Sequence, residues 1–252
     1  MSFENQSFVV VGGASVGGIG LEFVKELFSI GVEKIAIFDV LNPSRATAEL
    51  KSSFPNKTAQ FHKVDVRNRS EIECAFKEVI KSFGYVDVLV NCVGIFDENR
   101  PKDVIDINLT GVIYSTLTGI DYMAVSKGGH GGTIVNISSN AGLSVSGYTP
   151  VYCASKYGIV GFTKSLASKE LAAELGIKFI LICPTATSTP LLSDYTSKAY
   201  GKYAADELPI IFEEHVVVQT ANQCAKNMVE VIKTPENGST WILGHGSYIK
   251  SE

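Results

Sequence analysis

Short apolar runs alternate along the chain with longer segments in which apolar residues recur every three or four positions. The runs are Phe8–Val11, Lys34–Asp39, Ala59–Asp65, Val86–Asn91, Gly132–Ser138, Lys178–Cys183 and Thr240–Leu243. Several are nearly unbroken Val, Ile and Leu, the pattern of strands buried on both faces of a parallel sheet. Helix signals lie between them. Asn42-Pro43 reads as a cap followed by Pro at the first helical position. Ser70–Glu73 reads as a capping box, with Ile72, Ala75, Phe76, Val79, Ile80 and Phe83 at helical spacing and a stop at Gly84. Strands alternating with helices predict an α/β, doubly wound parallel sheet flanked by helices on both faces. No repeat or linker divides residues 1–252, so one domain is expected. Gly128–Gly132 reads as a loop. Residues 190–215 fit neither sheet nor a single regular helix and read as an insertion containing Tyr195, Tyr200, Tyr203 and Phe212.

The first run leads into Gly12-Gly13-Ala14-Ser15-Val16-Gly17-Gly18-Ile19-Gly20 and then an amphipathic segment. Glycines in a strand–turn–helix let backbone turn tightly and approach a pyrophosphate at the helix N-terminus, as in a Rossmann-like fold. The same glycines could serve only to pack helix on strand. Asp39 ends the second run, about twenty residues on, where a carboxylate would bond adenosine ribose hydroxyls and repel a 2′-phosphate. That favours NAD over NADP; a capping role before Asn42-Pro43 is the alternative.

Composition removes other function classes. Hydrophobic residues make up 45% and charged residues 19% of the chain, and the net charge of -4 is spread with both signs interspersed. No basic footprint for nucleic acid or a membrane surface results, and runs such as Phe179–Cys183 are too short to span a bilayer. The five cysteines form no CxxC pair, which argues against a disulfide framework and a zinc site. The opening MSFENQSFVVVGG has no positive segment followed by a long apolar stretch, so a leader is not expected and a cytoplasmic location is.

Candidate chemistry centres on Tyr152-Cys153-Ala154-Ser155-Lys156. On a helix, Tyr152 and Lys156 share a face, so the ammonium can lie near the phenol. A neighbouring cation lowers a phenol's pKa from about 10 toward the range that general acid/base catalysis needs. The spacing alone arises by chance in roughly a tenth to a half of chains this long. Ser139 stands at the end of the fifth strand, just past the run, on a strand–loop–helix path that can bring its hydroxyl beside the phenol. Asn91-Cys92-Val93-Gly94 follows the fourth run, and Asn108-Leu109-Thr110-Gly111 lies in the next helix. Taken singly, Ser139 could be a strand-end hydroxyl, Asn108 a helix cap and Lys156 a solvated surface lysine.

Together, and in this order, these residues resemble the short-chain dehydrogenase/reductase family over nearly the whole chain. The segments VYCASK, KGGHGG and STPLL look most like its insect alcohol dehydrogenases. The resemblance implies an oxidoreductase moving a hydride between NAD and an alcohol, ketone or aldehyde. Tyr152 would be the acid/base, Ser139 would hold the substrate oxygen, and Lys156 would contact the nicotinamide ribose and depress the Tyr152 pKa. Asn108 would distort its helix and fix a proton-relay water. Gly12, Gly13, Gly18, Ile19, Gly20, Asp39, Asp65, Val66, Asn91, Gly94, Pro184, Thr187 and Thr189 would line the cofactor, with Tyr152 and Lys156. Asp65 would lie near the adenine, Asn91 would also hold the central strands, and Thr187 and Thr189 would meet the carboxamide. Ser139, Tyr152, Leu191, Leu192 and Tyr195 would face the substrate. Few charges there suggest an apolar molecule, although these residues could simply cover the core. No metal is implied, and a homodimer or homotetramer is.

Three departures stand out. Against the family's TGxxxGxG, the turn from Gly12 to Gly18 carries two extra residues; Val93 stands in the usual NAG; and Thr185 follows Pro184 where Gly is usual. They leave open a second reading, a diverged dehydrogenase-like binding or storage protein.

Overall fold

The computed structural model describes residue 3 and residues 5–251. Its strands are β1 (Ser7–Val11), β2 (Lys34–Asp39), β3 (Gln60–Lys63), β4 (Val88–Asn91), β5 (Gly132–Ile137), β6 (Ile177–Pro184), β7 (Thr187–Ser188), β8 (Gln219–Thr220), β9 (Thr240–Gly244) and β10 (Ser247–Ser251). The helices are α1 (Ile19–Ser29), α2 (Ser44–Ser53), α3 (Arg69–Phe83), α4 (Pro101–Ile105), α5 (Gly111–Met123), α6 (Pro150–Leu166), α7 (Lys169–Leu175), α8 (Gly201–His215) and α9 (Ala221–Lys233). All seven predicted runs are strands. They pair in parallel in the order β3-β2-β1-β4-β5-β6-β9, and β10 joins the edge antiparallel to β9.

The unbroken apolar runs have a direct cause. Every residue of β1 is buried. Phe8 and Val10 pack with Leu21 and Leu27 of α1 and Met228 of α9, whereas Val9 and Val11 pack with Ile72 and Phe76 of α3 and Met123 of α5. Each such side chain stabilises the fold by about 1.5–3 kcal/mol, and alternation with polar residues would leave one layer unfilled. A polar network crosses this core. Asn91 Nδ2 donates to Thr116 Oγ1 (3.0 Å) and Asn136 Oδ1 (2.8 Å), and Asn136 Nδ2 donates to Thr163 Oγ1 (2.9 Å). It ties β4, β5, α5 and α6 together.

Local signals were partly displaced. The cap of α3 is Asn68, whose Oδ1 accepts from Ser70 N and whose Nδ2 donates to Glu71, so the helix is capped ahead of Ser70 and not by the expected Ser70–Glu73 box. The stop at Gly84 holds, at φ 88°. Asn42 caps the following turn through Ser44 N (2.9 Å). Residues 190–215 are only half irregular, because α8 is a regular helix that contains Pro209. The unforeseen β10 has mostly exposed residues and hence no apolar signature. Its hairpin turns on His245 and Gly246, both at positive φ, as a tight two-residue turn requires.

Candidate active site

Strand order reverses between β1 and β4, and a crevice opens there at the carboxyl ends of the strands, the usual ligand position in such sheets. It forms one continuous cleft of about 1020 Å³, running from the glycine loop and Asp39 to Ser139, Tyr152 and Lys156.

The glycines act at different depths. Gly12 has φ 86°, and a Cβ there would lie 2.6 Å from Val93 Cα. A Cβ on Gly20 would lie 2.2 Å from the Gly12 carbonyl oxygen, so glycine seats α1 against the turn. Gly12, Gly18, Ile19 and Gly20 line the cleft, and α1 begins at Gly18 without a side-chain cap. Gly13 does not line it. Its α-carbon faces Ile37 and Val10 beneath the loop, so its smallness serves packing rather than ligand contact. Asn91 is likewise off the cleft, consumed by the network between strands. Asp39 reaches back to the loop: its carboxylate accepts from Ala14 N (2.8 Å) and Leu41 N (3.0 Å), so it both orders the glycine turn and borders the cleft.

Asp65 and Val66 line the same end, and a Cβ on Gly111 would lie 2.6 Å from Val66 Cγ2, so that glycine lets α5 approach. Arg67 also lines it, a residue the sequence reading missed. Its guanidinium bonds Asp65 at 2.6 Å and Asp103 at 3.3 Å, which holds the Asp65 carboxyl below its ordinary range.

At the other end, Asn108 sits fully buried in a π-helical turn, Asp106–Thr110. Its Oδ1 accepts from Ile95 N (2.8 Å), and its Nδ2 donates to Ile95 O (2.9 Å) and Ser155 Oγ (3.2 Å). The expected distortion is present, and the side chain locks the loop after β4 to α6. Gly94 lies between this residue and Lys156: a Cβ there would stand 3.5 Å from both Asn108 Oδ1 and Lys156 Nζ. Ser139 lies two residues past β5 and caps a short 3₁₀ turn through Ala141 N (3.2 Å).

Lys156 is not a surface lysine. It is 3% exposed, its Nζ donates to Ile137 O (3.2 Å), and it lies 5.5 Å from the Tyr152 ring centroid. Among the described residues no carboxylate pairs with it. Burial pushes the ammonium down from 10.5 to about 8. The expected depression of Tyr152 does not occur in the protein alone. Tyr152 touches the cleft, but its depth in the protein pushes the phenol up to about 12, and the Ser139 hydrogen bond offsets only part of this. Desolvation is the largest cause of both shifts. Cys92, between them and Asp39 in the cleft wall, is raised to about 12 by burial and stays a neutral thiol.

The Lys156 shift carries a stability signature. The unfolded chain keeps this proton up to about pH 10.5 while the folded chain releases it near 8, so stability rises as pH climbs between them. Cys92, Cys183 and Cys224, each raised from 9.0 by burial, oppose that rise above pH 9, and Tyr152, raised to about 12, opposes it above its ordinary 10.0. Lys156→Met is therefore expected to raise stability at pH 7 by about 1–3 kcal/mol, with the gap from the unaltered protein closing between pH 8 and 10. Urea unfolding of both proteins across that range, without cofactor, checks this; a less stable variant at pH 7 contradicts it.

Pro184, Thr187, Thr189, Leu191, Leu192 and Tyr195 all line the cleft. Thr187 donates its hydroxyl hydrogen to Thr185 O (2.8 Å) and accepts from Gln219 Nε2 (3.1 Å), so toward the cleft it can only accept. Thr185 is accommodated by Gly244, where a Cβ would stand 2.6 Å from its Oγ1. Sequence reasoning missed Phe96, Leu208 and Ile211 in the apolar wall. Phe96 meets the Tyr152 ring edge-on at 5.6 Å. It also missed Glu98, whose buried carboxylate bonds the backbone of Val151 and Tyr152. No local pattern marks a loop residue whose partner lies more than fifty positions away. On α6, Leu109 fills the space over Gly158, and Gly161 has open space around it.

A doubly wound sheet with a glycine turn at one end of its crevice and Ser139, Tyr152 and Lys156 at the other defines an oxidoreductase fold with room for a nicotinamide cofactor. The chain belongs to the short chain dehydrogenase family, whose model matches residues 7–199. It is similar to alcohol dehydrogenase 1 of Ceratitis cosyra, with 33% identity over 99% of this chain and 96% of that one. It also resembles the alcohol dehydrogenase-related 31 kDa protein of Drosophila melanogaster, at 35% identity over 92% of this chain and 85% of that one. The crystal structure of levodione reductase shares the fold, with a TM-score of 0.80 at 22% identity, covering 97% of this chain and 98% of that one. Among the described residues no helix is long and apolar enough to cross a membrane, and no cluster of three His, Cys, Asp or Glu could hold a metal.

Proposed function

We propose that the protein is an NAD-dependent alcohol dehydrogenase or carbonyl reductase acting on an apolar substrate. The observation that carries this reading is the buried, unpaired Lys156 cation beside Tyr152, in the same cleft as Asp39 and the glycine turn. A buried ammonium with one protein acceptor calls for further oxygen acceptors, which ribose hydroxyls supply. The uncapped start of α1 suits a pyrophosphate. When bound, the nicotinamide ring accepts or donates the hydride.

This chain's residues do the rest. Tyr152 takes the alcohol proton during oxidation and returns it to the carbonyl oxygen during reduction. Ser139 holds that oxygen in line with the phenol. Lys156 adds positive charge beneath the phenol, and Asn108 keeps the loop after β4 against α6. Leu191, Leu192, Tyr195 and Phe96 exclude water and favour an apolar alcohol, ketone or aldehyde.

NAD is favoured over NADP because Val40 and Leu41, not a cation, follow Asp39, and Arg67 is already paired with Asp65 and Asp103. Fluorescence titration should find NADH bound at least about 10-fold more tightly than NADPH, a difference of about 1.4 kcal/mol. Equal affinities would sink the Asp39 assignment. Binding of neither would move the diverged binding protein to first place, with the enlarged glycine turn as the cause.

A further inference from the structure

We propose that Glu98 is a positioning residue that sets Tyr152 in place by capping the catalytic helix from outside it. The proposal rests on the reading of Tyr152 as the acid/base. Helix α6 starts after Thr149, whose side chain makes no capping bond. The task falls to a residue half a hundred positions upstream. Glu98 Oε2 accepts from Val151 N at 2.8 Å and Oε1 from Tyr152 N at 2.9 Å, and the residue is only 4% exposed. A buried carboxylate is tolerable because both oxygens meet donors and the positive end of the helix dipole lies against it.

The placement makes this more than a helix cap. One of the two amides belongs to the residue whose phenol does the chemistry, so a slack first turn moves that phenol relative to Ser139 and Lys156. The segment carrying Glu98 is itself anchored on both sides. Ile95 exchanges hydrogen bonds with Asn108, and Phe96 braces the Tyr152 ring. Glu98 N donates to Lys198 O (2.8 Å), and Asn99 Nδ2 donates to Ser197 O (2.9 Å). Four of the five residues from Ile95 to Asn99 thus hold Asn108, Tyr152 and the strap that precedes α8. Glu98 is where the strap's position is transmitted to the phenol.

Two measurements test this, one independent of any activity. Amide exchange by NMR should find Val151 and Tyr152 exchanging at least about 10-fold more slowly than Gly20 and Leu21, in the uncapped first turn of α1. Glu98→Gln should remove most of the difference, since its amide keeps one acceptor oxygen and places a donor against the second N–H. Comparable rates at the two helix starts in the unaltered protein overturn the cap without any variant. In turnover, Glu98→Gln should lower kcat about 10–30-fold, with KM for the nicotinamide cofactor within about 2-fold. In a Tyr152→Phe background the same change should cost less than about 3-fold, because a positioning residue has nothing left to position. A purely structural role would lower activity equally in both backgrounds and overturns the proposal. If no alcohol or carbonyl compound turns over, the proposed function fails, and the exchange measurement still decides the cap.

Discussion

Replacing Tyr152 with Phe should lower turnover by about 10²–10⁴-fold and leave cofactor affinity within about 3-fold. The change removes one oxygen from a ring braced by Phe96 on its edge and held at its backbone by Glu98. Fold and cleft should persist, so lost activity reports lost proton transfer. The size follows from the proton's position. With the phenol pushed up to about 12 by burial, the protein by itself keeps Tyr152 protonated at neutral pH. Donation to a carbonyl oxygen is therefore ready, whereas oxidation of an alcohol needs positive charge added to the cleft. Carbonyl reduction should fall without change in its pH profile below pH 8, and alcohol oxidation should lose its rising alkaline limb. Steady-state rates in both directions, paired with cofactor titration, measure this. A variant that keeps its rate would remove Tyr152 from the chemistry, and a biological role unaffected by the variant would favour the binding-protein reading.

Gly12→Ala is expected to destabilise the protein by about 2–5 kcal/mol and to abolish tight cofactor binding. Two costs act together. The backbone at φ 86° is one that L side chains rarely adopt, and the new Cβ would stand 2.6 Å from Val93 Cα and 2.7 Å from Val93 N. The obstacle is backbone, so no rotamer change relieves it. Either the turn after β1 or the start of the loop after β4 must move, and both line the cleft. Gly13→Ala offers a contrast, because the Cβ there meets side-chain methyl groups of Ile37 and Val10, at 3.0 Å and 3.3 Å, rather than backbone. It should lose less stability and keep cofactor binding. Thermal unfolding and NADH titration of the two variants separate these outcomes, and equal behaviour contradicts the assignment of Gly12 and Gly13 to different depths.

Much of the fold was legible because burial on both faces leaves a one-dimensional trace. A strand such as β1 needs apolar side chains at every position, whereas β3, at the sheet edge, is only partly buried and mixes Phe61 with Gln60, His62 and Lys63. The edge strand β10 needs none, so it left no trace. That Asn108, Ser139, Tyr152 and Lys156 come together was legible for a different reason: Tyr152 and Lys156 are neighbours on one helix, and the order of Asn108, Ser139 and Tyr152 follows the order of strands and helices. The place of Asp39 at the border of the cleft was legible because it ends a strand at a set distance from the glycine turn. Two residues expected along the cofactor lie off the cleft on tertiary grounds, although Asn91 does hold the central strands as expected. Gly13 and Asn91 carry the right residue types at the right spacing, yet one faces Ile37 beneath the turn and the other is used between strands.

The linear order of residues determined the parallel sheet, its helices, the glycine turn and the face on which Tyr152 and Lys156 meet, because each depends on spacing within one or two elements. Tertiary structure alone decided that Lys156 is buried without a carboxylate, that Tyr152 is raised rather than lowered, that Thr185 is matched by Gly244, and that Glu98 caps a distant helix. Those properties depend on how much water a group loses and on which remote atoms replace it. Both quantities come into being only when the layers close on one another.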